Sequence, residues 1–343
     1  MQQSTATVIP PEATVPATRQ ARQMEVTPEH AGRRIDNFLA WVLKGVPKSR
    51  IYRMLRSGEA RVNGGRVRPA YRIRPGDRLR IPPVHTEAPP NQERDIPEWL
   101  KTALRDAVVY EDPDLLALAK PAGVAVHSGT GVSLGLIEAL RAMRREESYL
   151  ELVHRLDRGA SGCLLVARHP QALRALHGMM RAGRIEKTYL TLLRGRWRGG
   201  EEVVDLGLRR DMLRSGERMV GVATDGKPAR TVFAPRELFR SASLMEARLI
   251  TGRTHQIRVH AMEIDHPVAG DAKYGDKGFN RVMRDLGLRD LFLHSHRISL
   301  VSPLSGARIA IVTELPAALR GVLQALRAAD RHCRQLERSN PDG

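Results

Sequence analysis

Chemistry in this chain is concentrated in the run His154-Arg155-Leu156-Asp157-Arg158-Gly159-Ala160-Ser161-Gly162. Two arginines, a histidine and one carboxylate fall on a predicted loop, and Cys163-Leu164-Leu165-Val166-Ala167 directly after it reads as a buried strand. A lone carboxylate among cations at a strand edge is held in its ionised form, which suits a nucleophile and not a general acid. An Arg-x-Asp-Arg string by itself is more often a structural ion pair on a solvated loop, so the reading depends on what accompanies it.

A second constellation is Thr251-Gly252-Arg253-Thr254-His255-Gln256-Ile257-Arg258-Val259-His260. Gly252 breaks the preceding strand, Thr254 is placed to cap a helix, and Ile257, Ala261 and Ile264 give that helix an apolar face. Arg258 then falls in the first turn, where a cation opposes the helix macrodipole by about 0.3 to 1 kcal/mol. That position makes sense if a carboxylate or a phosphate lies against it. The chain has no P-loop, no G-x-G-x-x-G after a strand, no H-E-x-x-H and no C-x-x-C. His294 and His296 would share a strand face, but no carboxylate or thiolate stands beside them, so no metal site is expected. Ordinary side chains must carry the chemistry.

The elements that position these residues are mostly short strands. Val108-Val109-Tyr110 and Leu115 to Ala119 read as strands joined at Asp112-Pro113-Asp114, and further strands are predicted at 187–193, 231–233, 244–250, 292–300 and 308–313. Helical spacing covers 134–145 and 171–181. Many strands among few helices predict an α+β fold with an antiparallel or mixed sheet. His127, after the turn at Lys120-Pro121-Ala122-Gly123, reads as a structural residue.

Lys and Arg number 56 against 38 Asp and Glu, a net charge of +18 over 343 residues that points to a polyanionic partner, RNA or DNA before an anionic membrane. No run approaches the roughly eighteen apolar residues of a spanning helix. Residues 1–24 lack the apolar core of a signal peptide and read as a disordered tail, so a cytoplasmic monomer is expected. Cys163 and Cys333, one in a predicted buried strand and one in a polar C-terminal tail at 329–343, make no disulfide framework and are expected as free thiols.

The front of the chain reads as a separate basic module at 25–82. Ile35, Phe38, Leu39 and Val42 mark one helix, and Ile51, Met54 and Leu55 a second that Ser49 can cap and Gly58 ends. Asn63-Gly64 and Pro75-Gly76-Asp77 signal turns. Residues 33–80 hold fourteen Lys and Arg against three Asp and Glu. Lys48, Arg50, Arg53 and Arg56 fall on the second helix with little countercharge, an arrangement suited to phosphates. Proline-rich residues 83–100 read as an extended linker, followed by a main domain at 101–328.

Two resemblances follow from these residues. Arg33-Arg34-Ile35-Asp36-Asn37-Phe38-Leu39, Ser49-Arg50, Arg61-Val62-Asn63-Gly64 and Pro75-Gly76-Asp77 resemble the S4-like RNA-binding module. His154-Arg155-Leu156-Asp157 with Ser161-Gly162, Lys187-Thr188-Tyr189-Leu190 and Thr251 to Arg258, in that order, resemble the RluA-type RNA pseudouridine synthases over about residues 105–315. Lys120 to Gly123 matches the segment before the catalytic loop of that family, and an S4-like module in front is the arrangement of its branch acting on large-subunit ribosomal RNA.

The resemblance implies a synthase domain built on a mixed, mostly antiparallel sheet, with Asp157 as nucleophile and Arg258 as its partner. It also implies that Tyr189 packs on the flipped uracil and serves as candidate acceptor of the C5 proton, while Arg155 enters the RNA helix. His154, Arg253, His255, Arg33 and the cations of the second helix would contact RNA. Ala160 departs from the family, which commonly has Thr there, and a slightly looser loop is expected. Uridine isomerisation breaks N1–C1′, turns the base and makes C5–C1′ without water or redox change, so no cofactor is expected. An ionised Asp can attack C1′ or C6, or assist glycal formation, and the target base must leave its stack to be reached.

Overall fold

The structure is a computed structural model that describes residues 21–43, 46, 48–84, 96–128, 134–214 and 217–339. The chain divides between Asp95 and Ile96 into two compact units. The first contains strand β1 (Arg22–Glu25), helices α1 (Ile35–Val42) and α2 (Lys48–Ser57), and strands β2 (Arg61–Val62) and β3 (Arg78–Ile81). Its antiparallel sheet runs β1-β3-β2. The apolar faces predicted for the two helices close over Val62, Ile73, Leu79 and Ile81 in one core. Asn63 and Gly64 both take positive φ, 49° and 78°, giving the two-residue turn that an Asn-Gly pair favours. The Asp77 carboxylate accepts from the Arg74 backbone N–H, from Asn63 and from the Tyr71 hydroxyl, which fixes the second turn.

The second unit begins with α3 (Glu98–Asp106), β4 (Val108–Glu111), β5 (Leu115–Lys120), α4 (Leu136–Met143), β6 (Glu151–Leu152), β7 (Ser161–Ala167), α5 (Pro170–Arg181) and β8 (Glu186–Arg194). It continues with β9 (Glu202–Asp205), a hairpin of β10 (Leu208–Arg214) and β11 (Glu217–Val222), then β12 (Arg230–Leu238), β13 (Ala242–Leu249) and α6 (Gln256–Glu263). Helix α7 (Lys277–Asp285), strands β14 (Leu293–Val301) and β15 (Arg308–Val312) and helix α8 (Ala317–Ser339) complete it. One sheet runs β4-β5-β7-β14-β8-β13-β12-β9, with β6 on β7 and β15 on β14. Among the described residues only β7 with β14 is parallel, so the sheet is mixed and mostly antiparallel, as expected.

Every residue of β7 is buried because both faces are covered, which is why its sequence does not alternate. Leu164 and Val166 pack with Leu100 and Leu104 of α3, Leu136 and Leu140 of α4, and Ile257 and Ala261 of α6. Cys163, Leu165 and Ala167 pack with Leu176 and Met179 of α5. Each such leucine contributes about 1.5 to 3 kcal/mol by leaving water. At the start of β7, Gly162 has φ 102°, and a Cβ there would collide with the Ser295 carbonyl of β14. The strand end from which the Asp157 loop hangs is therefore set by that glycine.

Some boundaries differ from the sequence reading. Strand β1 begins inside the expected tail, and residues 1–20 lie outside the described residues. Helix α3 starts inside the expected linker, whose Pro89 and Pro90 also lie outside them. Helix α8 runs through the expected C-terminal tail to Ser339. Its first turns bury Leu319, Val322, Leu323 and Leu326, and the polar remainder extends an existing helix one hydrogen bond at a time. Both cysteines are free. Among the described residues no helix is long and apolar enough to cross a membrane.

Candidate active site

Asp157 lies in the loop between β6 and β7, and backbone and side-chain bonds fix that loop on both sides of it. The Ala160 N–H bonds the Asp157 carbonyl at 3.1 Å, and Arg158 and Gly123 exchange N–H···O bonds of 2.9 Å through the Arg158 side chain and backbone. Ala160 itself is 1% exposed within the core, so the turn closes without the hydroxyl its usual counterpart would bring. Lys120, 1% exposed, donates to the carbonyls of Pro121, Val124 and Arg158 at 2.8, 2.8 and 3.2 Å. Burial pulls its amine down to about 7, with Asp157 and Asp290 pulling it back. Three acceptors match an ammonium's three N–H groups and not an amine's two. Lys120→Met, which fills the same volume, is expected to leave those carbonyls unsatisfied and to lower stability by about 1 to 3 kcal/mol. The activity that the sequence resemblance implies should change little, because Asp157 has another anchor. Chemical denaturation beside an assay of that activity checks both.

That anchor is Arg258. The helix it belongs to starts one residue later than predicted: Thr254 does not cap it, and the capping position is His255, held at φ 55° with no side-chain cap bond. A non-glycine residue in this conformation is strained, and such strain concentrates at functional sites. Gln256, 2% exposed, braces the turn instead: its carbonyl accepts from Thr251 and the Arg253 N–H, and its amide donates to Arg230 and Thr231.

From the first turn of α6, Arg258 Nη1 donates to Asp157 Oδ2 at 2.8 Å, while Nε and Nη2 fork onto Asp271 at 2.7 and 2.8 Å. The cation that would oppose the helix macrodipole is thus matched by two carboxylates. Burial opposes the guanidinium charge, but Asp271 and Asp157 outweigh it and hold Arg258 above its ordinary range. Asp271 is itself fully buried, which would raise its carboxyl. The bonds from Arg258 and the N–H groups of Tyr274 and Lys273 hold it below the usual carboxylate range instead.

Sequence reasoning missed Asp271 and Tyr274, both in the loop before α7. Tyr274 lies under the Arg258 guanidinium, 5.0 Å from ring centroid to Cζ, and its hydroxyl accepts the Val220 N–H. That hydroxyl also pairs with His255 Nδ1 at 2.8 Å. His255 Nε2 is 3.9 Å from Asp157 Oδ1, so this residue, expected on RNA, stands beside the carboxylate. Burial lowers its pKa, Asp157 raises it and Arg258 lowers it again.

The Asp157 loop forms part of the walls of two cavities. A cleft of about 620 Å³ is lined by Arg155, Arg158, Lys273 and Arg289, and a smaller cavity of about 300 Å³ by Tyr189, Lys187, Leu249, Ile257 and Leu293. Asp157, Arg155, His255 and Arg258 border both. Tyr189 is 6% exposed on β8, and burial pushes its phenol above the ordinary range. Arg155 is exposed, as is Arg253, whose Nε donates to the Pro228 carbonyl. His154 turns inward, its Nε2 accepting the Leu165 N–H at 3.1 Å. Burial pulls its pKa down to about 4, which keeps that nitrogen an acceptor.

In the first unit, Arg50 is less free than its sequence position suggests, because it forks onto Glu59 at 3.0 and 2.6 Å. Arg53 and Arg56 are exposed. Arg33 lies over Trp41, 5.5 Å from the ring centroid. Lys48 is in α2, and its side chain lies outside the described residues.

The chain that carries this site is similar to known proteins in both sequence and fold. The family model for RNA pseudouridylate synthase matches residues 114–263, and that for the S4 domain residues 33–79. The chain belongs to the RNA pseudouridylate synthase family, in its RluA-type branch, and is an RNA pseudouridine synthase, an isomerase. It is 45% identical to the ribosomal large subunit pseudouridine synthase C of Haemophilus influenzae over 308 residues, 89% of this chain and 95% of that protein. The protein of the same name in Escherichia coli K12 is 46% identical over 315 residues, 91% of this chain and 98% of its own. The solved structure of human RNA pseudouridylate synthase domain containing 4 aligns with a TM-score of 0.54 and 25% identity, over 67% of this chain and 96% of that one.

Proposed function

We propose that this enzyme converts specific uridines of large-subunit (23S) ribosomal RNA to pseudouridine, acting as a cytoplasmic monomer with Asp157 as nucleophile. The observation that carries the reading is the Asp157 carboxylate, fixed at 2.8 Å by Arg258 at the border of a cavity walled by Tyr189. The names of the relatives supply the RNA class, and the net charge of +18 agrees with it.

In this reading Arg155, exposed at the border of both cavities, enters the RNA helix as the target base leaves it. The uracil packs on the Tyr189 ring, which apolar neighbours Leu249, Ile257 and Leu293 keep dry. Asp157 engages the nucleoside, N1–C1′ breaks, the base turns within the cavity and C5–C1′ forms; C5 then gives up its proton and N1, freed from the ribose, takes one up, so product and substrate are isomers. Burial disfavours the Tyr189 phenolate, so the ring contributes first as a stacking platform. No step adds water or changes oxidation state, so the reaction needs no cofactor. Site-resolved pseudouridine mapping of ribosomal RNA from cells with and without the gene tests the reading; identical maps would reject it.

The front unit, with its own core, is proposed as an RNA clamp. Deleting residues 1–95 is expected to weaken binding of full-length 23S RNA and to flatten its dependence on salt, since phosphate contacts set that slope. Some conversion of a short RNA should survive. Equal binding by both forms at every salt concentration would show that the unit clamps nothing.

A further inference from the structure

Lys187 opens the Lys187-Thr188-Tyr189-Leu190 motif, yet the chemistry above gives it no task. It precedes Tyr189 by two positions on β8, shares that residue's face of the sheet and lines the same 300 Å³ cavity. The side chain is half-buried, and among the described residues its ammonium has neither a hydrogen-bond partner nor a carboxylate. Burial lowers its pKa, and its charge in turn disfavours protonation of His154. Asp157, the acid of this cavity, is already held by Arg258.

Exposed residues of the cavity lining stand next to the ammonium. Gly252 is exposed there, and a Cβ at that position would come within 3.2 Å of Lys187 Nζ, so the glycine leaves the ammonium its space. Exposed Arg253 adds a second cation at the same rim. An unpaired, partly desolvated cation destabilises a fold, and a full negative charge arriving with a ligand removes that penalty. A base inside the cavity leaves its phosphate at the rim. We propose that Lys187 is a binding residue for a phosphate flanking the flipped uridine, with the RNA supplying the counter-ion that the protein withholds. This rests on the reading that the uridine enters this cavity.

The test uses the full chain and a 23S stem-loop carrying a uridine that the wild-type enzyme converts. Lys187→Met and Lys187→Arg are compared on that RNA and on versions with a neutral methylphosphonate on either side of the uridine. One methylphosphonate and Lys187→Met should each lower kcat/KM about tenfold, and together scarcely more than either alone, because they remove the same contact. Lys187→Arg should stay within about threefold of wild type, since the charge is kept. The thermal midpoint of Lys187→Met should equal or exceed that of wild type, whereas a structural lysine would lower it.

Losses that multiply for both methylphosphonates would overturn the assignment, as would a lowered midpoint with equal losses on all three RNAs. If the wild-type enzyme converts no uridine of 23S RNA, the uridine reading of the cavity fails and Lys187's role falls with it. Conversion by wild type with multiplying losses rejects Lys187 alone.

Discussion

Asp157→Asn is expected to abolish pseudouridine formation while leaving RNA affinity within a few fold of wild type. The substitution keeps the side chain's shape and its place beside Arg258, where an amide oxygen can still accept from Nη1. What it removes is the negative charge and the nucleophilic oxygen. Loss of a group that takes part in the reaction lowers turnover by more than about 10³-fold in enzymes where it has been measured, far beyond the effect of a lost contact. The loop should stay in place, because its other ties run through Lys120, Arg158 and Ala160. The check is single-turnover conversion of 23S RNA with enzyme in excess, read by site-resolved mapping, next to a binding isotherm. Measurable turnover by purified Asp157→Ala would sink the nucleophile assignment.

How far the sequence alone reached depended on whether a residue's partner left a mark on local pattern. Arg258 did leave one: an arginine in the first turn of α6 is unfavourable unless an anion meets it, and the structure supplies Asp157 and Asp271. Asp271 left none, since it belongs to a loop without periodicity and bonds a residue thirteen positions away. The Thr254 cap failed because Gln256 and a left-handed His255 start the helix by another route, and cap rules describe only the common one. Arg50 looked unpaired because Glu59 follows the glycine that ends α2, beyond the reach of spacing rules within a helix. The sheet class was legible because so many short strands leave few architectures, but the parallel pairing of β7 with β14 was not. It joins strands more than a hundred residues apart, which local pattern does not register.

Arg258→Ala should lower turnover by orders of magnitude and also destabilise the fold. The guanidinium forks onto fully buried Asp271, and removing one member of a buried pair typically costs about 3 to 5 kcal/mol. Asp157 loses its 2.8 Å anchor at the same time and is free to turn from the reacting atoms. Arg258→Lys should recover part of the stability and little of the turnover, because one ammonium cannot fork onto Asp271 and reach Asp157 together. Stability is therefore measured first, and turnover is compared only at temperatures where each variant is folded. The two roles open to Arg258 then separate in a cycle with Asp157→Asn. If Arg258 serves Asp157, removing it from the Asn background should change RNA affinity little, and the turnover losses should not multiply. A phosphate contact behaves otherwise: folded Arg258→Ala would keep near-normal turnover at saturating RNA, and the slope of binding against salt would fall by about one unit in both backgrounds. That pattern would overturn the pairing as a catalytic device, leaving the bridge to Asp271 as a structural one.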